Sequence, residues 1–204
     1  IWPMVDLRKY EPLARRFADS YRRFPPGVEP HEICVVGNGG PISPRQRQIF
    51  DGLPVSFHEH DNRGKDIGGY EMAAYKIPCD LMLCFGSHVH FWKSGWLDRI
   101  VETFLYNGPG LYGFWAFHQP ADHIRTTAFF LPPELLRAFP SYVGNNQRYA
   151  FEHHPTQSLT AFVRNSGFPI LQITWTEVLD QQHWRHIERS EDLLRDQFTG
   201  PKFV

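Results

Sequence analysis

Apolar residues recur at helical spacing near the start of the chain, at Leu7, Tyr10, Leu13, Ala14, Phe17 and Tyr21. Pro25-Pro26-Gly27 ends that pattern, which predicts a helix over 5–24. A short apolar run at 32–37 reads as a buried strand ending in Asn38-Gly39-Gly40. Further on, the pattern predicts a helix over 44–50 and a strand over 55–58. Next comes a polar glycine-rich turn, which opens a helix at about residue 71. The apolar run 79–85 is long enough for a central strand, and 96–105 is amphipathic at helical spacing. Two more strands are predicted over 111–117 and 124–131, and a short helix over 132–139. A helix over 157–165 stops at Gly167, a late strand covers 169–175, and the polar tail 180–195 reads as partly helical. Alternating strands and helices of this kind argue for an α/β layer fold around a mainly parallel sheet. No internal repeat is visible, so residues 1–204 read as one domain. The chain begins with Ile rather than Met, which reads as a piece excised from a longer protein.

The segment between the strand at 55–58 and the helix that follows it carries the most chemistry. Asp61-Asn62-Arg63-Gly64-Lys65-Asp66-Ile67-Gly68-Gly69-Tyr70 follows a strand and precedes a helix. Glycines there let the backbone approach an anion closely, and a helix N-terminus supplies N–H groups with partial positive charge. Asp66 is a credible N-cap for that helix. A plain loop with capping acids fits the same residues. In open α/β sheets, ligands bind beyond the C-terminal ends of the strands. That rule gathers Asn38-Gly39-Gly40, Asn62 to Gly69 and Gly86-Ser87-His88 at one edge.

Composition narrows the function classes. A net charge of −1 provides no field for nucleic acid or an anionic membrane. The pairs Arg15-Arg16 and Arg22-Arg23 read as a solvated helix face. Aromatic residues make up 15% of the chain, enough to line a sugar or nucleobase site as well as fill a core. Cys34, Cys79 and Cys84 form no CxxC pair, and Cys34 and Cys84 lie in apolar runs. With no apolar run of membrane-spanning length and no signal-like N-terminus, the expected compartment is a reducing cytoplasm.

The order strand, Asn-Gly turn, helix, strand, Asn-Arg-Gly-x-Asp-Ile-Gly-Gly-Tyr, helix, buried strand resembles GT-A glycosyltransferases. Within them it is most similar to the rhamnan-synthesis and capsular-polysaccharide group of bacterial transferases. Two later stretches fit that group, Asp122 to Leu131 and Phe151 to Thr160, so the likeness runs from about residue 32 to 175 in order. The resemblance implies a GT-A-like three-layer sandwich, a nucleotide-sugar donor and a glycan or polysaccharide acceptor of the cell envelope. It also implies hexosyl or deoxyhexosyl transfer, with inversion. The first strand of that fold would be clipped here, or lie upstream, because the first helix starts so early. Asn62, Gly64, Lys65, Asp66, Gly68, Gly69, Ser87 and His88 are the implied donor-side residues.

GT-A enzymes commonly carry Asp-x-Asp after the central strand to hold a divalent cation. Gly86-Ser87-His88 stands at that place, without the acids that Mg²⁺ or Mn²⁺ prefers. His88 and His90 offer imidazoles to a softer ion, or hydrogen bonds to backbone or substrate. The expectation is therefore no certain metal. Arg63, Lys65 and Arg125 are the basic groups available to a departing diphosphate, each also at home as a solvated charge. Glu152 is the leading general base, with His123 orienting acceptor or phosphate. His153, His154 and Asp122 are lesser candidates for the base. A carboxylate ahead of the 157–165 helix has the competing role of an N-terminal helix charge. Trp92, Trp96, Trp115 and Phe117 serve either as stacking surfaces or as core.

Two other classes stand beside the transferase. A non-catalytic sugar-nucleotide or glycan-binding domain fits the missing acidic motif. A metal-dependent hydrolase fits the pairs His58-x-His60, His88-x-His90 and His153-His154, although these are dispersed and none is an HExxH motif.

Overall fold

Strand alternation sorts the core into two layers. The computed structural model describes residues 2–4, 7–140, 147–186 and 190–196. The chain opens with β1 (Trp2–Met4) and α1 (Leu7–Arg23), followed by β2 (Ile33–Asn38). Next come α2 (Pro44–Arg47) with a 3-10 turn (Gln48–Phe50), β3 (Val55–His60), α3 (Lys65–Lys76) and β4 (Met82–Phe85). The second half holds α4 (Trp96–Asn107), β5 (Leu111–Gly113), β6 (Ala116–Phe117), β7 (His123–Ile124), β8 (Ala128–Leu131) and α5 (Pro133–Ala138). It ends with α6 (Gln147–His153), α7 (Leu159–Asn165), β9 (Ile170–Ile173), β10 (Val178–Leu179) and a 3-10 turn (Gln181–His183).

Successive side chains of a strand point to opposite faces. Phe85 of β4 and Phe130 of β8 join Phe17, Trp96 and Ile100 from α1 and α4. Their neighbours Cys84 and Phe129 join Tyr70, Leu135, Phe151 and Val163 from α3, α5, α6 and α7. Helices therefore cover both faces, the three-layer arrangement expected. Ser43 opens α2 with a capping box, its hydroxyl and the Gln46 side chain serving each other's backbone N–H groups.

The sheet is mixed rather than mainly parallel. β1, β2 and β3 pair in parallel, Val36 opposite His58 and Asn38 opposite His60. The other strands run in the order β10-β9-β5-β8-β4. There β8 is antiparallel to β4 and β5, and β10 to β9; only β5 and β9 are parallel. The cause lies between Gly113 and Ala128. A parallel return needs a long crossover, usually a helix. Here the chain instead turns through the two-stranded ribbon β6–β7 and comes back antiparallel. Each of the two strands expected over 111–131 is broken in two by that ribbon. A short β1 precedes α1, pairs in parallel with β2 and also lies beside β4.

Cys34 on β2 and Cys84 on β4 are buried, whereas Cys79 is exposed. Burial pushes the Cys34 thiol up to about 11 and the Cys84 thiol higher still. No helix among the described residues is long and apolar enough to cross a membrane.

Candidate functional site

The glycine-rich segment folds as a tight left-handed turn at the end of β3. Asn62, Gly64 and Lys65 all have positive φ, at 68°, 78° and 56°. Such φ values cost non-glycine residues energy, so two strained residues flank the one glycine that adopts the conformation freely. Gly64 is the N-cap of α3, which places Asp66 inside the first helical turn and overturns its expected capping role. An acid there still complements the positive helix end. The turn is partly self-satisfied: Asp61 Oδ1 accepts from Arg63 N–H at 2.9 Å, and Asn62 O from Lys65 N–H at 3.0 Å.

Gly68 is fixed by packing. A Cβ there would lie 1.9 Å from the Arg63 carbonyl oxygen. Alanine normally improves a helix, but Gly68→Ala is expected to cost about 1–3 kcal/mol by forcing the turn away from the helix. Thermal unfolding checks this, and an unchanged or raised Tm would refute it.

Asn38 and Gly39 stand at this end, joined by His60, which the sequence did not place here. Asn38, at the end of β2, is 1% exposed, and its Oδ1 accepts from His60 Nδ1 at 3.0 Å. Gly39 N–H donates to His60 O at 2.8 Å, and a Cβ on Gly39 would meet Asn62 Cβ at 3.4 Å. A Cβ on Gly69 would meet Asn38 Nδ2 at 3.5 Å. Asn38 Nδ2 and Asn62 Oδ1 are buried yet have no hydrogen-bond partner among the described residues. Buried amides of that kind cost stability unless a ligand or water serves them. They place a donor and an acceptor beside the α3 N-terminus. The parallel register of β2 and β3 brings them together.

The second group forms around Glu152. Glu152 lies in the last turn of α6 rather than in the turn that opens α7, which Ser158 caps. The expected role as an N-terminal helix charge is thereby overturned. Glu152 is 6% exposed, and its Oε2 accepts from both the backbone N–H (2.9 Å) and the hydroxyl of Thr126. Oε1 faces His153 Nε2 at 3.1 Å. His123, 3% exposed on β7, donates from Nδ1 to Ala121 O at 2.7 Å, which leaves Nε2 as the lone-pair nitrogen. The His123 and His153 rings meet edge to face, 4.4 Å between centroids. Half-exposed aromatics flank them, Phe117 stacked on His123 and Tyr149 against His153. Glu152, His123 and His153 thus lie together, with Thr126 beside them. Of the other candidates for the base, half-buried Asp122 is held by His118, which keeps its carboxyl below the usual range. His154 Nδ1 accepts from the N–H groups of Thr156 and Gln157.

Ser87 and His88 lie on the turn after β4. Gly86 N–H donates to Thr127 O, the residue after the one that holds Glu152. The His88 carbonyl accepts from Arg16 Nη2 at 2.9 Å. His90 Nδ1 donates back to His88 O, and burial together with the Arg16 charge pulls its pKa below the usual imidazole value. Arg125 pairs at 3.3 Å with Asp196, a fully buried carboxylate from the C-terminal segment. A cation of the usual GT-A kind does not fit after β4. The turn offers no carboxylate, arginines crowd it, and Asp196 is already paired. The four aromatics separate as well. Trp96 is buried core, Trp92 and Trp115 bond to Asp192, and Phe117 keeps an exposed face.

A cavity of about 700 Å³, lined by Tyr21, Ile33, Leu83, Trp96 and Phe104 among others, opens at the starts of β2 and β4. It lies away from both groups and is predominantly apolar.

No protein-family model matches the chain, and no curated protein sequence does. Among solved structures it is similar to the galactosyltransferase LgtC in complex with donor and acceptor sugar analogs. That match has 14% identity and a TM-score of 0.50, over 82% of this chain and 69% of that one. An active-site mutant of LgtC aligns over 67% of this chain and 57% of that one, with 15% identity and a TM-score of 0.49. HddC from Yersinia pseudotuberculosis aligns over 66% and 68%, with 12% identity and a TM-score of 0.46. At such identities the likeness is one of architecture: an α/β fold with a mixed sheet, resembling that of GT-A glycosyltransferases.

Proposed function

We propose that this chain is a glycosyltransferase domain that moves a sugar from a nucleotide-sugar donor to a hydroxyl of a glycan acceptor, with inversion. The observation that carries the reading is the pair of buried amide atoms without partners, Asn38 Nδ2 and Asn62 Oδ1, beside the N-terminus of α3. In an α/β sheet this is where a ligand with phosphates is expected. Asn62, Gly64, Lys65, Asp66, Gly68 and Gly69 hold the donor, and Ser87 and His88 border it from the end of β4. Lys65 and Arg63 are exposed beside the turn and neutralise the diphosphate as it leaves.

Glu152 is the general base. Thr126 fixes one carboxylate oxygen and leaves the other to take the proton of the acceptor hydroxyl. That hydroxyl oxygen forms the new bond to the anomeric carbon while the carbon–phosphate-oxygen bond breaks. The diphosphate departs with the electron pair. His123, with its lone pair on Nε2, orients the acceptor.

The test is a thermal-unfolding screen of the chain with nucleoside diphosphates and nucleotide sugars. A specific ligand at about 100 times its Kd raises stability by about 2.7 kcal/mol. Asn38→Leu, which removes the buried donor, is expected to weaken that ligand about tenfold, about 1.4 kcal/mol. Should no nucleotide shift the unfolding curve, the reading fails. Binding without turnover on any acceptor would select the non-catalytic binding domain instead.

A further inference from the structure

The geometry points to a binding site for a zinc-class divalent cation formed by His123, Glu152 and His153, far in character from the acidic site usual in this fold. One ligand atom from each residue lies within 4.8 Å of the others. Zn²⁺ with bonds of about 2.0–2.1 Å in tetrahedral array sets neighbouring ligand atoms roughly 3.3 Å apart. Glu152 Oε1 and His153 Nε2 are already 3.1 Å apart. Consecutive helical residues ordinarily point about 100° from one another. These two meet because His153 is the last residue of α6.

Two of the three residues, His123 and Glu152, are held as metal ligands usually are. A ligating imidazole almost always donates its second N–H to a carbonyl or carboxylate, which fixes the tautomer. His123 does so at Nδ1, to Ala121 O at 2.7 Å, and turns Nε2 into the free lone pair. A ligating carboxylate is in turn hydrogen-bonded through its other oxygen, and Glu152 Oε2 takes both donors of Thr126. His123 and Glu152 are buried, while the His153 side chain is 30% exposed. An ion can therefore enter from one side and keep an open fourth position. Two nitrogens and one oxygen suit Zn²⁺ or Co²⁺ rather than Mg²⁺.

One consequence rests on the transferase reading. An ion on Glu152 Oε1 occupies the atom that takes the acceptor proton, so zinc inhibits transfer.

Titrating the chelator-treated chain with Zn²⁺ alone by calorimetry, and with Co²⁺ alone by visible absorption, tests the site. The expected result is one ion per chain and a tetrahedral cobalt spectrum. His153→Ala and His123→Ala should each weaken zinc at least about 100-fold, and Thr126→Val about 10–100-fold. Circular dichroism of each metal-free variant establishes that it folds; His153 at its half-exposed helix end decides the matter if His123→Ala does not. Failure to bind one ion, or binding that survives loss of His153, overturns the site and leaves the transferase reading intact. Stoichiometric zinc without inhibition upholds the site and overturns Glu152 as the base.

Discussion

Replacing Glu152 with Gln is expected to lower the rate of sugar transfer by about 10²–10⁴-fold, the usual contribution of a positioned general base. Glutamine keeps the shape of the side chain, and its amide oxygen still accepts from the N–H and hydroxyl of Thr126. What it loses is the capacity to take a proton. Nucleotide affinity should stay the same, because Asn38 and Asn62 approach from β2 and the turn after β3, and Glu152 from α6. Release of nucleoside diphosphate in the presence of acceptor, set beside calorimetric nucleotide binding, separates the two effects. Full transfer activity in the variant would remove Glu152 from the mechanism.

The second large effect concerns stability. Asp196 is 0% exposed and faces the Arg125 guanidinium at 3.3 Å, with the Arg16 charge also acting on it. Arg125→Met leaves that carboxylate short of a partner in a buried place, at a cost of about 3–5 kcal/mol. For a chain of this size each kcal/mol moves Tm by about 2–4 °C. The drop is therefore expected to be roughly 6–20 °C. Pairing it with Asp196→Leu should restore much of the loss, since the buried charge is then gone as well. An unchanged melting temperature with weakened nucleotide binding would return Arg125 to the diphosphate, the role its sequence context implied.

The layered α/β order was legible because it rests on local periodicity. The 79–85 run contains β4, and the spacing of Leu13, Ala14, Phe17 and Tyr21 is the inward face of α1. Strand direction was not legible, since nothing local in Ala128-Phe129-Phe130-Leu131 says which way β8 runs; that depends on the ribbon before it. α6 escaped notice because Gln-Arg-Tyr-Ala-Phe-Glu-His is short and lacks a strong apolar repeat. With the helix went the true position of Glu152. On the donor side the turn itself could be read, but its N-cap could not. An acid near a helix start looks like a cap, whereas here three positive φ values hand that place to Gly64. Asn38 and His60 needed the parallel register of β2 and β3 to become neighbours. Asp196 likewise gains meaning only when the C-terminal segment pairs with His90 through Arg195. Residues 141–146, 187–189 and 197–204 lie outside the described residues, including part of the tail expected to be partly helical.

The three cysteines give the molecule built-in reporters of its own breathing. Only Cys79 is accessible in the native state, so alkylation under native conditions should stop at one adduct. Cys34 belongs to the parallel strands and Cys84 to the mixed ones, and each becomes reactive only when its strand is released. The rates at which the second and third adducts form thus time the opening of the two halves of the sheet separately. Equal rates would mean that the halves open together as one cooperative unit, and unequal rates that one half is held less firmly.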